Sequence, residues 1–281
     1  MPAKPERAIN VHGHLRTHDD IAARVRTWEQ WNVRKFVCLC LHPRWGDKYF
    51  TNEEFLRAKD EYPDVLIGFA CPRTFPAEGI DGPDDIERYR DQGFHGLKFL
   101  GPGRPINDEV YFPIYAKAEE LGMPILFHTG FLGRNKANDH EYDIDSERLR
   151  PYRFDRIART FPNLRMCGAH LGGPHYGEAL QMLGAHENVF FDISGGGGGK
   201  RHVRKIISAL LPHAGLETDW ADPQENQALG HFESLCFGTD NPEPDVWVPA
   251  SETIMDALHI PADLRKRFYW DNPARFLGLE A

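Results

Sequence analysis

His12 and His14 stand one residue apart in the run AINVHGHL. In an extended segment residues i and i+2 point to the same side, so the pair can offer two imidazoles to one cation. Alone, a histidine of this kind is more often a hydrogen-bonded structural residue. Further along, Lys98 lies in GLKFLG, His128 in PILFHTG, His170 in LRMCGAH and Asp240 in LCFGTD, each within or at the end of a short apolar run. Imidazole, carboxylate and amine are groups that bind divalent metals or move protons near neutral pH. Their recurrence in separate runs points to one assembled centre organised by a metal.

The runs that carry them are strand-like: apolar, β-branched or aromatic, and closed by Gly, Pro, Asn or Asp. Eight are legible, at 8–15, 35–41, 65–72, 96–101, 124–130, 164–170, 189–195 and 235–240. Most lack strict alternation, as strands buried on both faces do. Helix-like stretches lie at 20–31, 52–62, 84–92, 110–121, 146–161, 176–185, 201–211 and 251–258. Strand starts fall roughly 25–46 residues apart, the period of parallel β-α crossover units. Eight such units predict an α/β fold, a (β/α)8 TIM barrel forming a single domain over residues 1–281, with a doubly wound open sheet as the alternative. In a barrel the chemistry collects at the C-terminal strand ends, where His12, His14, His128, His170 and Asp240 fall.

Composition narrows the partners. The 281 residues include 33 Lys and Arg against 42 Asp and Glu, a formal net charge of −9, which argues against broad attraction to nucleic acid or anionic membranes and for a small-molecule substrate. The N-terminus lacks the apolar run of a signal peptide and no segment reads as a membrane span, so a cytoplasmic location is expected. Five cysteines, odd in number and set in apolar runs, read as buried free thiols.

Together VHGH (11–14), GFHGLKFLGP (93–102), ILFHTG (125–130), MCGAHLGG (166–173), FGTDNP (237–242) and DNPARFLGL (271–279) resemble the amidohydrolase superfamily. Within it, the likeness is to the amidohydrolase-2 group, which includes aminocarboxymuconate semialdehyde decarboxylase and TIM-barrel metal-dependent hydrolases. The resemblance implies that His12, His14, His128 and Asp240 bind one divalent metal, zinc before manganese, and that Asp240 also hydrogen-bonds the metal-bound water. It makes His170 the general acid/base or charge stabiliser. Lys98 would touch substrate or support the site; carboxylated, it would instead bridge to a second metal with His170 as a further ligand. Asn10 stands where family members often carry an acid, and a homodimer is the assembly the resemblance suggests.

A cation held by imidazoles and a carboxylate, with one position open, can make water nucleophilic at neutral pH. The expected activity is therefore metal-dependent hydrolysis of a small, carboxylate-bearing substrate. The same parts also suit nonoxidative decarboxylation, the alternative within the group. A metal-independent lactonase and a noncatalytic metal- or sugar-binding barrel are the further readings. Arg44, Arg73, Arg104 and Arg134 follow strands two to five and could pair with an anion in two-point geometry. Trp45, Phe131, His175 and Trp247 occupy comparable loops and could wall a ring, or pack beneath those loops. The run Gly195 to Gly199, followed by Lys200 and Arg201, resembles an anion cradle before a helix or a lid, although it lacks the Walker spacing. Asp192 reads as a partner of the site or as a structural acceptor.

Overall fold

The computed structural model describes residues 4–45, 48–133, 145–211, 226–241 and 243–279. Eight parallel strands follow one another in chain order: β1 (Ala8–Gly13), β2 (Val33–Leu39), β3 (Leu66–Ala70), β4 (Gly96–Phe99), β5 (Ile125–Phe127), β6 (Met166–Gly168), β7 (Val189–Asp192) and β8 (Leu235–Cys236). β1 and the segment after β8 then close the ring, with Val11 N–H donating to Phe237 O at 3.0 Å, and Thr239 and Asp240 N–H to His12 O at 2.9 and 2.7 Å. Sequential order with closure gives a (β/α)8 barrel and excludes the doubly wound sheet. Several ladders are shorter than the apolar runs suggested, because the last residues of each run leave the sheet to form the mouth.

Outside the strands lie α1 (Ile21–Gln30), α2 (Asn52–Ala58), α3 (Pro83–Asp91), α4 (Phe112–Glu120), α5 (Phe154–Thr160), α6 (Tyr176–Ala185), α7 (Lys200–Leu210), α8 (Ala228–His231), α9 (Pro244–Ala257), α10 (Ala262–Lys266) and α11 (Asn272–Leu277). Their starts are chemically marked. Asp20 accepts from Ala23 N–H at 2.9 Å, Glu54 reaches back to Thr51 N–H at 2.7 Å, and Pro83 and Pro244 open helices where no N–H is needed. Two expectations shift. The stretch 146–161 breaks into short turns before α5, because Pro151 interrupts it, and α9 begins well before residue 251. No helix among the described residues is long and apolar enough to cross a membrane.

Two apolar layers hold the mouth in place. Phe36, Leu97, Phe99, Ile125, Phe127 and Phe191 face outward against the helices, while Ile9, Val11, Leu126, Cys167, Phe190 and Cys236 fill the barrel interior. At the bottom α11 plugs the barrel, with Phe276 packed 6.0 Å from Phe69 and 5.9 Å from Phe190 between ring centroids. The five cysteines are free and buried, as expected of small core residues.

Gly13, between the paired histidines, leaves no room for a side chain: a Cβ there would lie 2.2 Å from the Phe36 ring. Gly13→Ala must therefore displace that ring and is expected to destabilise the protein by about 1–3 kcal/mol in denaturant titration. An unchanged midpoint would contradict this packing.

Candidate metal centre

β1 carries one residue too many for regular pairing. Its register with β2 runs from Asn10 opposite Phe36 to Gly13 opposite Cys38, three steps against two. Such a bulge switches side-chain parity. Ile9 and Val11 face the interior before it, and His12 and His14 reach the interior after it. Regular alternation from Val11 would have turned both histidines outward. Asn10 braces the irregularity: its Oδ1 accepts from His12 N–H at 3.1 Å and Thr239 N–H at 3.2 Å, and its Nδ2 donates to Thr239 Oγ1 at 2.9 Å. An acid at this position would lack that amide donor.

Asp240 enters from the other side of the closure, in the left-handed region at φ 62°. Its Oδ1 lies 3.5 Å from His12 Nε2 and 3.4 Å from His14 Nε2, and ligand atoms of the three residues all fall within 4.8 Å of one another. The opposite ring nitrogens are occupied, His12 Nδ1 lying 2.8 Å from Asp192 Oδ2 and His14 Nδ1 3.0 Å from the Leu39 carbonyl. With those N–H groups so spent, two Nε2 lone pairs and a carboxylate oxygen converge as three acceptors, which a cation between them satisfies. Burial pulls His12 down to about 4 despite the Asp192 carboxylate, so the ring is neutral as a ligand must be. Burial alone would raise the Asp240 carboxyl. The contact with His14 and the neighbouring imidazoles of His12 and His170 outweigh it and hold Asp240 well below the usual carboxylate range.

Asp192, at the end of β7, ties the centre to His170. Besides His12, it accepts from the backbone N–H of His170 at 3.2 Å, the N–H of Ser194 at 2.8 Å, and the Ser194 hydroxyl. Burial would push this carboxyl up, but the hydrogen bonds it accepts from His12 and Ser194 and the neighbouring His170 hold it well below the usual carboxylate range. Having donated to Asp192, Ser194 Oγ accepts from His170 Nδ1 at 3.0 Å, which fixes the ring and leaves Nε2 outside that network. His170 itself sits in a turn after β6 at φ 61°, followed by Leu171 at φ 46°, backbone that non-glycine residues hold only under constraint. The second close group of donor atoms, His12, His170 and Asp192, is thus a hydrogen-bonded network.

Lys98 and His128 complete the interior. The Lys98 ammonium is fully buried on β4, lacks a hydrogen-bond partner, and is pulled down to about 8 by burial against the attraction of Asp240 and Asp192. His128 follows β5, with its ring centroid 5.1 Å from that of His170 and its Nε2 3.3 Å from the Phe131 carbonyl. Burial, His170 and Lys98 hold it well below the usual imidazole value. It belongs to neither close donor group, so the structure brings together three of the four expected ligands and places the fourth beside His170.

Above the centre opens a cleft of about 1140 Å³, lined by His128, Phe131, His170 and Asp240 and extending between α6 and α7. The loop arginines fare differently from expectation. Arg44 is buried against Glu78 at 3.1 Å and over the Phe75 ring, and Arg73 is bonded to Asp81 at 2.6 Å, so both charges are locally matched. Arg104 is exposed outside the cleft lining, and Arg134 lies outside the described residues. Trp45 and His175 do not line the cleft either, and Trp247 is buried beneath α7 against His202. The cations that do line it are Arg201, Arg204 and Lys205 of α7, of which only Arg201 drew notice in the sequence. Their spacing at i, i+3 and i+4 was the available signal. Ser194 was missed because nothing local marks it.

A family model described as amidohydrolase matches residues 46–279. No curated protein matches the chain. Among solved structures, the 2,6-dihydroxybenzoate decarboxylase from Rhizobium has a TM-score of 0.63 at 14% identity, covering 97% of this chain and 98% of that one. The 5-carboxyvanillate decarboxylase from Sphingomonas paucimobilis has a TM-score of 0.59 at 16% identity, covering 94% and 85%. Dihydroorotase from Saccharomyces cerevisiae has a TM-score of 0.63 at 11% identity, covering 98% and 84%.

The buried, neutral His12 has a consequence for acid stability. An unfolded chain takes up a proton near 6.5, whereas the native ring resists one down to about 4, so acid favours unfolding. The stability contributed by neutral His12 is complete above pH 6.5 and lost as the pH falls toward 4. Thermal melts of chelator-treated protein across that window should fall less steeply for His12→Asn than for the parent chain. Parallel curves would contradict the burial argument.

Proposed function

The chain belongs to the amidohydrolase family, and from that premise we propose that it is a metal-dependent hydrolase acting on a small, anionic, carboxylate-bearing substrate. The observation that carries this reading is the convergence of His12 Nε2, His14 Nε2 and Asp240 Oδ1, each oriented by a second contact or by the closure of the barrel. These residues, with His128 as the further ligand, would hold one zinc or, second, manganese ion. When bound, the ion supplies Lewis acidity and makes water nucleophilic at neutral pH.

The chain's own groups then divide the proton work. Asp240, held ionised, accepts a proton at its free carboxylate oxygen. His170 Nε2, oriented through Ser194 and Asp192, delivers a proton to the leaving group or withdraws one beside it. Lys98, buried in the barrel interior, meets an anionic substrate group or supports the ligands in this reading. Decarboxylation is the second reading, favoured by the two decarboxylases that share the fold over nearly their full length. There His170 would protonate the carbon that loses CO2.

Elemental analysis should find one zinc or manganese per chain after gel filtration, and Asp192→Asn should weaken metal affinity by about 10–100-fold by releasing His12. Full occupancy with unchanged affinity in a His12→Asn, His14→Asn variant would refute the ligand assignment.

Reaction class is read from isotopes. Carboxylate-bearing esters, lactones and amides should be tested in ¹⁸O water alongside 2,6-dihydroxybenzoate and 5-carboxyvanillate. Hydrolysis places ¹⁸O in the acid product, and His170→Asn should slow it by about 10²-fold. CO2 released in step with turnover, without label in an acyl product, would assign the decarboxylase reading instead.

A further inference from the structure

Helix α7 is built against its own local interests. Its first six residues, KRHVRK, place Lys200, Arg201, Arg204 and Lys205 in the N-terminal half, with no acid in the first turn. The positive end of the helix dipole disfavours cations there. Lys200 with Arg204, and Arg201 with Lys205, are also like-charge pairs four residues apart, each unfavourable by about 0.2–0.5 kcal/mol. Among the described residues, Arg201, Arg204 and Lys205 have no carboxylate partner, although other arginines are matched, including Arg150 by Glu178 of the neighbouring α6. Local rules broken without local compensation point to a requirement imposed from outside the helix.

Geometry says where that requirement comes from. Arg201, Arg204, Lys205 and Ser208 lie on one helical face, and all four line the cleft whose floor holds His128, His170 and Asp240. The face runs about 10 Å along the helix axis. The lining also takes in Pro174, Tyr176 and Leu180 in and before α6, which add apolar surface to the cleft. Asp240 is the one carboxylate among the described residues lining the cleft, and it belongs to the floor.

We infer that the α7 face is a subsite for a second anionic group, and that the substrate is an elongated dianion. One end meets the strand-end centre, an apolar or aromatic body lies along Pro174, Tyr176 and Leu180, and a distal carboxylate or phosphate is held by Arg201, Arg204 and Lys205. This deepens the proposed function and rests on it for the placement of the reacting end. Guanidinium groups give the two-point pairing that suits either anion.

The test compares 4-carboxyphenylacetate with 4-methylphenylacetate by titration calorimetry, with 4-phosphonophenylacetate separating phosphate from carboxylate. Metal-loaded protein should bind a dianion about ten-fold tighter than the monoanion, the scale of one charge-assisted contact. In an Arg201→Ala, Arg204→Ala, Lys205→Ala variant the ratio should fall to within about two-fold of unity, with metal content unchanged and a melting temperature that holds or rises as the like-charge pairs disappear. Equal affinity for mono- and dianion in the parent chain, or the same ratio in the variant, would overturn the subsite. A parent chain that binds no metal yet keeps the ratio, and loses it in the variant, would refute the metal centre and leave the subsite standing.

Discussion

The carbonyl of His12 accepts two amide hydrogen bonds, from Thr239 and Asp240, and the barrel closes on that oxygen. The candidate centre depends on this junction. It brings the first strand against the last, so that an imidazole pair from the beginning of the chain meets a carboxylate from its end. It also holds Asp240 in the left-handed region, where an unsupported aspartate would relax. The bulge in β1 belongs to the same junction, because Asn10 bonds to His12 on its own strand and to Thr239 across the closure. Closing the barrel and aiming the candidate ligands are one event.

From there orientation passes around the mouth through Asp192. One carboxylate oxygen fixes the ring of His12, while the other fixes Ser194 and the backbone of His170. A single buried charge thus sets the exposed nitrogen of a metal-ligand candidate and of a proton-transfer candidate. The arrangement stands because every proton donated to Asp192 comes from a group with a second contact in the site.

Electrostatics separates two kinds of cation. Arg44 and Arg73 are neutralised where they stand by Glu78 and Asp81, and serve the loops that carry them. The cations of α7 face the cleft at a cost to their helix, in a chain of net charge −9. Charge that is locally expensive and directed at a cavity is better explained by an anionic ligand than by solvation.

The alternation of apolar runs with helix-like stretches was enough to determine the barrel. Both are local properties, and a repeated β-α period admits few closed solutions. The strand ends also named the chemical groups that now crowd the mouth. Tertiary structure decided how those groups are aimed. Strand alternation has a period of two, so a sequence reading puts His12 and Val11 on opposite faces; both reach the interior only through a bulge braced by a residue 229 positions away. The break of 146–161 at Pro151, the role of Ser194, and the division between arginines with and without a carboxylate partner among the described residues have the same origin. Each is settled by partners that packing supplies, and hydrogen bonds and ion pairs between distant segments leave no periodic trace in the chain.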